Sequence, residues 1–186
     1  MCIRKKYLGK TKFYSDYKWA APACQSLKQD EDSRLTGYLQ ATIIRPRWSG
    51  MHLILSKPDY DLIVRYVRAE RPNEACGLLA GERGKVRRVY LVENVCHSPR
   101  EYKMEPGEQM RAMLEIEAAG WELSGIFHSH PAGPPLPSVT DVAQACYPDS
   151  IYLILAPDET GEWRGRAFQI QSDQVEEVRL QVIEEL

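Results

Sequence analysis

The chain has 186 residues, of which 44% are hydrophobic and 27% charged, with a formal net charge of -2. Those values suit one globular domain with a sizeable core plus some additional chain, and they argue against nucleic acid as the main partner. No apolar run approaches the roughly 18 residues that cross a bilayer, and the basic N-terminus lacks the apolar core of an export signal, so no membrane association and a cytoplasmic setting are expected.

Residues 1–50 are polar, basic at first, and without sustained periodicity. They are expected to form a poorly ordered extension, with one short strand in "LQATIIR" where Thr42, Ile43 and Ile44 favour extended chain. Met51 opens a cleaner pattern and is a candidate start of the protein, leaving residues 51–186 as the folded domain. "HLILS" reads as a strand. Ser56, with Asp59 three residues on, caps a helix whose buried stripe is Leu62, Ile63, Tyr66 and Val67 and which ends near Glu70. "ACGLLAGE" and "KVRRVYLVENV" read as strands joined by a turn at Glu82-Arg83-Gly84. "PGEQMRAMLEIEAAG" reads as a helix, with Pro106 in its first turn, Gly120 as its stop, and Met110, Met113 and Leu114 facing inward. "ELSGIFHSH" reads as a central strand, "SVTDVAQACY" as a short helix, and "SIYLILAP", "RAFQI" and "VRLQVI" as further strands. The sum is a single α/β domain: a mixed β-sheet flanked by helices.

Five cysteines (Cys2, Cys24, Cys76, Cys96 and Cys146) stand at scattered spacings with no C-x-x-C pair. That excludes a disulfide framework and a cysteine-rich zinc site, and reduced, mostly buried thiols are expected. His52 and His97 have no partners at ligand spacing and read as structural or exposed.

The chemistry concentrates in "GIFHSHPAGPPLPSVTD", Gly125 to Asp141. Residues two apart on a strand share a face, so His128 and His130 project together at the strand's C-terminal end while Ser129 points away. A loop stiffened by Pro131, Pro134, Pro135 and Pro137 returns Asp141 toward that rim, at a reduced entropic cost of fixing a third ligand. Two histidines and one carboxylate suit Zn²⁺ with its fourth position open. Such a site needs a group that takes a proton from water and returns it to a leaving amine, and Glu74 in "RPNEACGLLAG" is available. Ser138 is placed to donate to a developing oxyanion. Taken alone, Ser138-x-x-Asp141 is a helix-capping pattern, and Asp141 cannot give one lone pair to both a backbone amide and a metal. H-E-x-x-H is absent, and the deaminase pair H-x-E with P-C-x-x-C is absent too.

Glu74 followed by His128-x-His130-x7-Ser138-x2-Asp141 resembles the JAMM (MPN+) metalloprotease family. "PNEACGLLAG", "VENVCHSPREYKMEP", "GIFHSHP" and "SIYLILA" extend the likeness to its compact prokaryotic branch, over roughly residues 51 to 183. The resemblance implies the MPN fold, related to cytidine deaminases, with residues 51–186 as the catalytic domain. It implies zinc-dependent amide hydrolysis, with one zinc per chain. His128, His130 and Asp141 carry over as metal ligands, Glu74 as general acid/base, and Ser138 as the oxyanion-stabilising residue. The implied partner is a small β-grasp ubiquitin-like or sulfur-carrier protein with a Gly-Gly tail, added as a strand beside a sheet edge, with Tyr102 and Met104 as candidate groove residues. Release of cysteine from a sulfur carrier, isopeptidase action on lysine conjugates, and a non-catalytic MPN scaffold are the readings this leaves; the compact architecture favours the first.

Overall fold

Alternation of apolar and polar residues, capped helices and glycine turns produce ten elements in a computed structural model that describes residues 52–172 and 174–184. The predicted extension over residues 1–50, its short strand, the candidate start at Met51, Cys2 and Cys24 lie outside the described residues. The order is β1 (His52–Ser56), α1 (Lys57–Ala69), β2 (Cys76–Glu82), β3 (Lys85–Val92), α2 (Pro106–Ala118), β4 (Glu122–Ser129), α3 (Val139–Ala143), β5 (Ile151–Pro157), β6 (Trp163–Gln171) and β7 (Gln174–Ile183).

The sheet is mixed, as expected, but it is not a layer with two free edges. Its order is β1-β3-β2-β4-β5-β6-β7, and β7 pairs parallel with β1 to close it. The seam between β1 and β3 is the thin one, a single parallel pair of Ile54 with Lys85. β4 and β5 are parallel, and the remaining neighbours are antiparallel. Among the described residues the edge open to an extended tail is therefore confined to this thin seam, where β3 beyond Lys85 has no strand partner opposite β2. Closure satisfies backbone groups that an open edge would leave unpaired.

Helix α1 packs against the inner face of this sheet, with Arg65 and Arg68 exposed, and α2 packs against the outer face. Ile63 and Val67 of α1 join Leu53, Leu55, Leu79, Val86, Phe127, Leu153, Leu155, Ala167 and Val178 in a cluster that draws on all seven strands. Only the interior offers such a meeting point. The opposite face carries Cys76, Leu78, Val92, Ile126, Ile154 and Phe168, covered by Ala112 of α2. Full burial of a side chain such as Phe127, at 0% exposure, contributes roughly 1.5–3 kcal/mol.

Helix α1 starts where capping chemistry places it, with the Ser56 hydroxyl accepting from the Asp59 amide at 3.1 Å. The turn before β3 needs left-handed backbone at Arg83 and Gly84. A Cβ on Gly84 would stand 2.1 Å from the His52 carbonyl oxygen, so only glycine fits.

Three expectations need correction. In α2 the buried residues are Ala112 and Ile116, with Met113 partly covered, whereas Met110 and Leu114 are 37% and 45% exposed. The face of α2 turned to the sheet is the one that carries Ala112 and Ile116. Helix α3 is five residues long and ends at Ala143, before Cys146. Cys76 is buried, but Cys96 and Cys146 are exposed. His97 is exposed too, with Glu93 at 3.7 Å.

Candidate metal centre

Strand β4 is held between β2 and β5, with His128 paired in register to Cys76 on one side and Ile154 on the other. Its alternation puts His128 on the α2 face and Ser129 toward the interior. His128 is 0% exposed. His130 lies one residue past the strand but stays tied to β5, its amide donating to the Leu155 carbonyl at 2.8 Å.

The loop after His130 folds back on it. His130 Nδ1 is 2.9 Å from the Pro134 carbonyl oxygen. A carbonyl only accepts, so Nδ1 carries the proton and a neutral His130 presents the lone pair of Nε2 to the site. Nε2 of His128 stands 3.0 Å from Nε2 of His130. Asp141 faces both, with Oδ1 3.3 Å from His128 Nε2 and Oδ2 3.3 Å from His130 Nε2. One donor atom from each residue lies within 4.8 Å of the others, a grouping able to hold a metal ion.

The capping reading of Ser138 and the ligand reading of Asp141 coexist. The Ser138 hydroxyl accepts from the Asp141 amide at 3.1 Å, and Asp141 Oδ2 accepts from the Ser138 amide at 2.7 Å, a reciprocal capping box. Oδ2 thus serves the cap while Oδ1 stays turned to His128. The lone-pair conflict seen in sequence dissolves because a carboxylate has two oxygens.

Burial pulls the His128 imidazole below its ordinary pKa, which keeps it neutral. For His130 burial also lowers it, but hydrogen bonding to Asp141 and to the Pro134 carbonyl outweighs that and raises it. Burial pushes Asp141 upward, yet its polar contacts with the His128 and His130 rings and with Ser138 hold it well below the usual carboxylate range. Glu74 is 4% exposed, just ahead of β2. Burial pushes its carboxyl up to about 7; His130 opposes this and Asp141 adds to it, so the three groups share one electrostatic neighbourhood.

Around this centre Tyr102 stacks on His128, ring centroids 4.6 Å apart, while His128 Nδ1 is buried without a hydrogen-bond partner. Of the two residues expected to line a groove, Met104 is 7% exposed and belongs to the outer core, and Tyr102 is partly buried against that core. Sequence reading missed Asn94, a buried side chain that binds the Glu74 carbonyl. A lone asparagine after a strand carries no local signal of that role.

A closed mixed sheet with a helix against each face brings two imidazoles and a carboxylate to one point beside a buried acid, a set able to hold a metal ion. Comparison with known proteins agrees. A family described as prokaryotic homologs of the JAB domain matches residues 56–171. A desampylase of Haloferax volcanii is 37% identical over 138 residues, covering 69% of this chain and 99% of that protein. A CysO-cysteine peptidase of Mycobacterium tuberculosis is 32% identical over 135 residues, covering 72% and 92%. A solution structure from Desulfitobacterium hafniense aligns with a TM-score of 0.65 at 37% identity, covering 73% of this chain and 95% of that one. The chain belongs to the prokaryotic JAB-domain branch of the JAMM/MPN family, and it is a JAMM-type hydrolase.

Proposed function

We propose that the protein, through a catalytic domain spanning residues 51–186, is a zinc-dependent peptidase that hydrolyses the amide bond after the C-terminal Gly-Gly tail of a small ubiquitin-like or sulfur-carrier protein. The observation that carries this reading is the convergence of His128, His130 and Asp141: the two Nε2 atoms stand 3.0 Å apart, each has an Asp141 oxygen at 3.3 Å (Oδ1 for His128, Oδ2 for His130), and one donor atom from each residue lies within 4.8 Å of the others. A tetrahedral zinc ion with bonds of about 2.0–2.1 Å sets its donors roughly 3.3–3.4 Å apart. Two neutral imidazoles and one carboxylate are also the donor chemistry zinc prefers, so the residues fit the ion. When bound, zinc supplies a Lewis acid that polarises an amide carbonyl and acidifies water.

The chain's own groups do the rest. Glu74 accepts the proton of the attacking water and returns it to the leaving amine, and a carboxyl that titrates near neutrality serves both directions. The Ser138 hydroxyl accepts from the Asp141 amide, and its own proton is left to donate to the oxyanion. His130 is kept in its ligand tautomer by the Pro134 carbonyl. The relative called CysO-cysteine peptidase supports the cysteine-releasing form.

The test is mass spectrometry of products from two probes: a Gly-Gly-tailed carrier extended by cysteine, and the same carrier joined through its tail to a lysine side chain. Release of cysteine with a carrier ending in Gly-Gly is expected. Cleavage of only the lysine conjugate selects the isopeptidase, and inertness toward both at stoichiometric zinc selects the scaffold.

A further inference from the structure

The middle residue of His128-Ser129-His130 plays no part in the chemistry above, yet it is 0% exposed and fully engaged. Its hydroxyl accepts from the Ala75 amide at 2.9 Å, and its own amide donates to the Ala75 carbonyl at 3.0 Å. The Ala75 N–H belongs to the same peptide unit as the Glu74 carbonyl. That carbonyl accepts from Asn94 Nδ2 at 2.9 Å. One peptide plane is therefore gripped at both ends by side chains from two separate parts of the fold. On the other flank, the Glu74 amide donates to the Ser98 carbonyl at 2.8 Å. Asn94 is itself fixed: Nδ2 also donates to the Glu101 carbonyl, while Oδ1 accepts from the Cys96 and Lys103 amides.

With both flanking peptide units tied, φ and ψ of Glu74 are set, and so is the direction of its Cα–Cβ bond, from which the carboxyl is launched. We propose that Ser129 is a positioning residue that holds Glu74 at a fixed distance from the two histidines on either side of it, with Asn94 as its counterpart across the peptide. The proposal rests on Glu74 being the proton carrier. It gives the histidine-serine-histidine run a single logic: the odd-numbered contacts toward the interior aim the acid, and the flanking residues face the metal site. The chain segment that carries two ligands also sets the place of the group that works beside them.

The test combines Ser129→Ala with Glu74→Gln in a double-mutant cycle, using the carrier extended by cysteine as probe. Ser129→Ala is expected to retain stoichiometric zinc and an unchanged KM while kcat falls on the order of 10–100-fold, the range that misplacement by about 1 Å reaches. In the Glu74→Gln background the same change is expected to cost nothing further, because the residue it positions is already gone. Wild-type kcat in Ser129→Ala overturns the proposal, as does a loss of zinc, or losses that multiply in the double variant. Full turnover in Glu74→Gln alone instead removes the acid/base reading beneath it. Should Ser129→Ala fail to fold, Ser129→Cys, whose thiol is a weak acceptor of similar size, takes its place in the cycle.

Discussion

Strand β4 and helix α3 supply the same site by opposite means. His128 sits in the middle of a paired sheet, in register with neighbours on both sides and 0% exposed. Asp141 rides on a five-residue helix with no buried residue, where Val139 is 89% exposed. What secures α3 is the partial packing of Val142 against the outer core, the capping box, and the attraction between Asp141 and two imidazoles. One arm is built by the core, and the other leans largely on its polar contacts. Damage to the first removes the site; damage to the second loosens it by degrees.

The largest effect is expected from His128→Ala. It deletes a donor and opens a void in a packed face, so metal content measured by elemental mass spectrometry falls below stoichiometry and turnover drops to background. On the softer arm, Asp141→Asn keeps an oxygen for the Ser138 amide but loses the charge. Its zinc affinity, read by chelator competition, is expected to fall by more than the ~10–100-fold that loss of an outer partner costs. Should Asp141→Asn prove as destructive as His128→Ala, the asymmetry between the arms is wrong.

Glu74→Gln comes next and belongs to neither arm. It preserves shape and ligands, so zinc stays while kcat falls by about 10²–10⁴. The pH profile sharpens this. Glu74 acts as a base only when ionised, and its raised pKa of about 7 puts loss of activity on the acid side of neutrality. A cation nearby favours the carboxylate and moves that limb to lower pH. The limb is expected to vanish in Glu74→Gln.

Ser138→Ala probes the α3 arm more gently. Loss of the cap costs about 1 kcal/mol of helix stability, seen as faster amide exchange at Val142 and Gln144, whose amides bond back to Ser138 and Thr140. Loss of the oxyanion donor lowers kcat by about 10²–10³ if the hydroxyl acts as proposed. A change in exchange without a change in rate confines Ser138 to capping.

How much of this was legible depended on how local the cause is. Caps, turns and strand alternation act within a few residues, and Ser56, Gly84, Gly120 and the His128/His130 pair all declared themselves. The Ser138/Asp141 box was readable as a cap, but its use of separate carboxylate oxygens needed coordinates. Closure of the sheet depends on residues His52–Ser56 meeting Arg179–Ile183 across nearly the whole domain, and no periodicity encodes a partner that distant. The face of α2 is set by the sheet that Ala112 and Ile116 meet, and the helix's own sequence does not single out those two residues. Asn94 and Ser129 stayed dark for a related reason: each acts on a peptide unit far away in sequence, at separations of 20 and 54 residues.

The smallest effect lies in stability and separates the buried acid from the carboxylate on the helix. In metal-free protein, the folded chain holds a proton on Glu74 between its ordinary value of 4.5 and about 7, where an unfolded chain releases it. The folded state then binds more protons, so stability falls as pH rises through that window. Asp141 has the reverse sign: held low, it contributes stability above 3.8 that is lost only on stronger acidification, so it adds no slope near neutrality. His128, lowered by burial, opposes Glu74 below 6.5, which makes the raw wild-type curve ambiguous. The difference between wild type and Glu74→Gln reads the acid together with the part of the raised His130 titration that Glu74 supports, and both have the same sign. Denaturant unfolding of both zinc-free proteins from about pH 5 to 7 is expected to show wild type losing stability relative to the variant, by at most about 1.4 kcal/mol per pH unit. Parallel curves place the Glu74 carboxyl in water, outside the buried setting that its role as proton carrier requires.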